Sequence, residues 1–152
     1  MPRTMDFNEA RTRAAQINPQ LEQAEWDLSD NTLVRFEVPV AGYDPRPWNG
    51  FTDYSLYDAD GSVIAVIEAK KTARNPRDGE AQLRQYIDLI SRTQDFVPFG
   101  FMTNGLHHYF WDVGLAHPRM VSGFFTPDDL RRLKFIRGNK APLNIEIGRA
   151  HV

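Results

Sequence analysis

The sequence contains no cysteine. That excludes a disulfide framework and any thiolate zinc site, and it fits a reducing cytoplasm. No apolar run approaches the roughly 20 residues that a membrane-spanning helix needs. Met1 to Phe7 lack the apolar stretch of a secretory leader, so the expected location is the cytoplasm. A Gly-x-x-x-x-Gly-Lys-Ser/Thr loop is also missing, which leaves ATP without a phosphate cradle within these residues. Positive charge is not in excess either. The formal net charge is -2 and the pI about 6.1, so the chain as a whole does not attract a polyanion. No internal repeat is visible.

What is present is the composition of an ordinary globular domain: 152 residues, 41% hydrophobic and 25% charged, enough for one core. From Asp6 to about Leu28, Phe7, Ala10, Ala14, Ile17 and Leu21 recur at helical steps, with a break expected near Asn18 and a restart at Pro19. Leu33 to Val40 and Phe51 to Tyr57 read as strands. Asp58-Ala59-Asp60-Gly61 is a hairpin signal, because Asp-Gly supplies the positive backbone angles of a tight reversal. Val63 to Ile67 is then an unbroken apolar run, the mark of a strand buried on both faces. Asp78 is the expected cap of a helix marked by Ala81, Leu83, Tyr86, Ile87 and Ile90. Phe96 to Thr103 and His107 to Val113 give two more strands around Asn104-Gly105. Thr126 and Pro127 open a short last helix. The sum is an α/β fold, a mixed central sheet flanked by helices.

A charge at the end of a buried strand is costly without compensation, and the apolar run ends in Glu68-Ala69-Lys70. Glu68 and Lys70, at alternate positions, share one face. Pairing back from the hairpin brings Asp53 to within about one or two positions of Glu68. Two such carboxylates repel, and a divalent cation relieves the repulsion. The cluster suits phosphodiester hydrolysis by metal-activated water. Asp53 and Glu68 would hold Mg2+, the Ala69 carbonyl would add a backbone ligand, and Lys70 would orient the water or stabilise developing charge. The competing reading is a salt bridge closing an exposed strand end. Lys70, Lys71, Arg74 and Arg77 form a local basic segment, for which phosphate contact and plain solvated surface both stay open. His107, His108 and His117 are not read as metal ligands, because adjacent strand residues point to opposite faces.

Asp53, the hairpin and Glu68-Ala69-Lys70 resemble the PD-(D/E)xK nuclease motif. From about Asn8 to about Asn144 the chain resembles the N-terminal nuclease domain of type I restriction enzyme R subunits. The likeness includes Thr52-Asp53-Tyr54-Ser55-Leu56-Tyr57, Val66-Ile67-Glu68-Ala69-Lys70-Lys71-Thr72, Thr103-Asn104-Gly105 and Gly123-Phe124-Phe125-Thr126-Pro127-Asp128-Asp129-Leu130. The resemblance implies a restriction-endonuclease-like core, and double-stranded DNA as substrate. It also implies methyltransferase and specificity subunits as partners, and an ATP-driven motor that lies outside this chain. Gln82 and Tyr86 resemble the Q-x-x-x-Y motif of the family and would face the site or the DNA backbone together. Glu9 falls where related nucleases carry a further acid near the metal. Lys71, Arg74 and Arg77 would contact DNA. Two departures stand out: Glu25 precedes Trp26 where glycine is usual, and Thr52 replaces proline before Asp53.

Residues 1–146 are expected to form a single nuclease domain. Residues 147–152 (Ile147-Gly148-Arg149-Ala150-His151-Val152) leave the family pattern and equal one reading frame of a common sequencing-adapter oligonucleotide. They are expected to be a non-native tail on a naturally longer protein. A non-catalytic module of the same fold, docking on DNA or a partner subunit, is the alternative to an enzyme. A solitary repair or mobile-element nuclease is a third reading.

Overall fold

The computed structural model describes residues 13–42 and 50–147, with side chains over 15–42 and 50–139. A π-helical turn, Arg13–Ile17, runs into helix α1, Asn18–Gln23. The restart expected at the proline occurs, with Pro19 in the first turn, where its missing N–H is not needed. The helix does not reach Leu28. It ends in a reversal in which the Trp26 N–H donates to the Leu21 carbonyl (3.0 Å), with Glu25 in the left-handed region at φ 71. The turn that glycine would favour is therefore kept without glycine.

Six strands follow in spatial order β1-β2-β3-β4-β5-β6: Val34–Pro39, Phe51–Tyr57, Val63–Ala69, Phe99–Thr103, His108–Trp111 and Arg119–Val121. All neighbours are antiparallel except β3 and β4, which are parallel and joined by helix α2, Glu80–Ser91. The fold is thus α/β with a mixed sheet. Helix α3, Pro127–Ile147, closes the described chain. Its start follows the sequence signal, since Thr126 Oγ1 accepts from the Asp129 N–H (3.1 Å). At 21 residues it is longer than the short helix expected.

Three other expectations need correction. Strand β6 was not foreseen. The strands around Asn104 are shorter than the apolar pattern implied, because Phe96 and Val97 precede the ladder and Asp112 turns the chain away. Asp78 does not cap α2. A 3-10 turn, Pro76–Gly79, intervenes, with Asn75 Oδ1 accepting from the Arg77 N–H (2.9 Å), while Asp78 pairs with Arg74.

Alternation along β3 divides the core. Ala65, Ile67 and Ala69 join the larger cluster with Ile17, Leu21, Tyr54, Phe101 and Leu130, on the face covered by α1 and the start of α3. Val66 points the other way, into a smaller cluster with Leu83 and Ile87 of α2, Met102 and Trp111. Both faces of the central strand are therefore buried, as its sequence required.

Candidate active site

The acids come together because of one irregularity. Near the turn Tyr57 pairs with Val63, but from Leu56 onward the register is shifted by one, giving Leu56↔Ala65, Ser55↔Val66 and Tyr54↔Ile67. The next step sets Asp53 opposite Glu68. Directly opposed residues on an antiparallel pair share a face. With Tyr54 and Ile67 in the larger core, Asp53, Glu68 and Lys70 all fall on the α2 face. Without the bulge Asp53 would stand level with Ile67 and turn into the apolar core.

Both carboxylates are deeply buried, Asp53 at 4% and Glu68 at 2% exposure. Asp53 Oδ2 accepts a hydrogen bond from the Ala69 N–H at 2.8 Å. This bond fastens the acid to the backbone between Glu68 and Lys70. The next N–H, of Lys70, donates to the Thr103 carbonyl (2.8 Å), which holds the strand end against β4. Lys70 is half-buried. Its stem lies over Gly79, where an added Cβ would stand 3.4 Å from Lys70 Cε and 3.5 Å from Glu68 Cβ. The 3-10 turn therefore roofs the two side chains together. Among the described residues no group of three or more His, Cys, Asp or Glu is arranged to hold a metal ion. A cation here would have the two carboxylates, a backbone carbonyl and water as ligands, an oxygen-only set of the kind that hydrated Mg2+ accepts.

Gln82 and Tyr86 are both buried, at 5% and 0% exposure. Gln82 Nε2 donates to the Tyr86 hydroxyl (3.0 Å), which also accepts from the Gly50 N–H (3.0 Å). The pair joins α2 to the start of β2, three residues before Asp53. The basic residues lie on the loop after β3 and on the 3-10 turn. Arg74 pairs with Asp78 (3.1 Å) and Arg77 with Glu80 (2.7 Å), all partly exposed. Such pairs contribute little and are readily exchanged. Lys71 is half-buried. Glu9 lies outside the described residues.

Sequence reasoning missed Asn104. Its Nδ2 donates to the carbonyls of Thr72 (3.2 Å) and Arg74 (2.8 Å), and its Oδ1 accepts from the N–H groups of Leu106 (3.0 Å) and His107 (2.8 Å). One buried amide thus fixes the basic loop to the β4–β5 turn. The Asn-Gly dipeptide signalled the turn and concealed the clamp. His108 is a core residue: its ring joins Thr103 Oγ1 (2.7 Å) to Gln20 Oε1 (2.7 Å), and burial holds its pKa below the usual 6.5.

Residues 37–119 match the family model described as type I restriction enzyme R protein N terminus. The fold is similar to a solved HsdR-subunit fragment of a type I restriction enzyme from Vibrio vulnificus YJ016, with a TM-score of 0.67 and 24% identity over 88% of this chain. The chain spans about a quarter of that fragment, 26% of its length. Among curated proteins no match is found.

Proposed function

The chain belongs to the family of type I restriction enzyme R protein N termini, and on that premise we propose that it is a Mg2+-dependent DNA endonuclease domain. The observation that carries the reading is the placement of Asp53 opposite Glu68, on the face that Lys70 shares. Two buried acids at directly opposed positions give a cation an oxygen pair, and a bound cation offsets their mutual repulsion and lost hydration.

In this reading Asp53 and Glu68 hold the metal, with the Ala69 carbonyl beside them. The Ala69 N–H fixes the rotamer of Asp53, so the ligand is oriented before the metal arrives. When bound, the cation supplies Lewis-acid catalysis for attack of water on phosphorus. Lys70, on the roofed side of Glu68, presents its ammonium to the scissile phosphate and offsets the negative charge that builds there. Gln82 and Tyr86 act one step back by holding the start of β2 in place. Lys71, Arg74 and Arg77 meet the flanking DNA backbone.

Double-stranded DNA is the proposed substrate, within a cytoplasmic complex that includes methyltransferase and specificity subunits. ATP would serve only a motor domain beyond these residues. With a net charge of -2, the domain alone lacks the field to hold DNA, so cleavage by the isolated chain is expected to be weak or absent.

Calorimetric titration with Mg2+ tests the proposal. Saturable binding is expected for the wild type and none for Asp53→Ala. Identical traces would favour the non-catalytic docking module instead.

A further inference from the structure

The geometry points to a nucleotide subsite beside the basic loop: a cavity of about 290 Å³ between residues 72–76 and strands β5 and β6, which takes one nucleotide of a DNA strand turned out of the duplex. The inference rests on the endonuclease reading and deepens it.

The cavity is held open by structure rather than by chance side-chain positions. Asn104 ties the Thr72 and Arg74 carbonyls to the β4–β5 turn, so the loop forms a fixed wall. Arg74 and His107 supply polar lining, while Tyr109 and Met120 form the apolar part. The guanidinium of Arg77 stands 5.7 Å from the Tyr109 ring centre, and Met120 is 59% exposed. An aromatic ring and a thioether beside guanidinium groups suit a base and its phosphate, since stacking is sequence-tolerant and Arg recognises phosphate oxygens. The volume lies near the lower bound of roughly 300 Å³ for small-ligand sites, the scale of one nucleotide. Asp78 competes for Arg74, but that pair is 44% and 42% exposed and yields readily to a phosphate.

Placement relative to the acids supports the same conclusion. Glu68 pairs with Met102, Met102 with Tyr109 and Tyr109 with Met120, so all lie in one row across the sheet. Tyr109 packs against the cluster beneath α2, on the face of Glu68. Two strand spacings of about 4.8 Å separate Glu68 from Tyr109. A strand cut at the acids would thus bring a nucleotide close to the cut into the cavity.

The test is an NMR titration of the nitrogen-15-labelled chain with thymidine tetranucleotide, without divalent metal. Saturable shifts are expected at Arg74, His107 and Tyr109. Tyr109→Ala should weaken binding by about fivefold or more. Met120→Glu, at an exposed edge position outside both cores, should also weaken it without lowering the melting temperature. Equal shifts from inorganic phosphate would mean an anion contact only and overturn the subsite, as would the absence of saturable shifts. Shifts confined to the end of β3 would overturn it too, while leaving the endonuclease reading intact. That reading falls separately, on the Mg2+ titration, which needs no DNA.

Discussion

Glu25 holds a left-handed backbone, φ 71, where the resembling R subunits carry glycine. The conformation costs a residue with a Cβ about 1–2 kcal/mol, part of which glycine would return as extra freedom in the unfolded chain. Glu25→Gly is therefore expected to stabilise the fold by about 0.5–1 kcal/mol. A higher urea midpoint with unchanged slope would verify this, and a lower midpoint would refute it. At this scale the sequence was most legible where chemistry is explicit. A glutamate and a lysine two residues apart at the end of a strand are expected to share a face, and Glu68 and Lys70 do lie together beside Gly79. It was least legible where a side chain acts at long range. Nothing in Asn104-Gly105 indicates that the amide reaches back to residues 72 and 74, because a turn explains the dipeptide by itself. Glu37 is similar: its φ of 54 in β1, level with Asp53, has no sequence signature.

Helix α2 and strand β4 approach closely because Gly100 has no side chain. A Cβ there would stand 2.8 Å from Leu83 Cδ2 and 3.0 Å from Ile87 Cδ1. Gly100→Ala should destabilise the protein by about 1–3 kcal/mol through overpacking. Denaturant unfolding would measure the loss, and a stability equal to the wild type would show that α2 can move aside. The elements with strong periodicity, β2, β3 and α2, were legible in the sequence. Strand β6 was not, since Arg119–Val121 is three residues without alternation, and only pairing with β5 defines it. The start of α2 was misread for a different reason. Asn75 and Asp78 are both good caps, and Pro76 directs the first turn to Asn75.

Across the whole molecule, pH should act through the core before it acts through the surface. His108 is 3% exposed, and burial, followed by the nearby charge of His107, keeps its pKa below 6.5. The unfolded chain takes up that proton more readily, so stability is constant above about pH 6.5 and falls as pH drops from there through the folded value. Asp27 and Asp60 act with the same sign at lower pH. Hydrogen bonds from Ser29 and Ser62 hold them below 3.8, so their contribution is present above that value and lost only in stronger acid. Thermal melts between about pH 5 and 8 should show the first decline in the wild type and not in His108→Asn. A decline that survives the substitution would assign it to another group.

The bulge between Leu56 and Tyr57 makes residue count in this hairpin matter as much as residue identity. Removing one position from the paired stretch of β3 would leave Asp53, Glu68 and Lys70 in the gene and yet direct Asp53 into oil. Residues added at the Asp58–Ser62 tip would leave the pairing beyond it unaltered. Insertions and deletions are therefore expected to accumulate at the tip of this hairpin and to be purged from its arms.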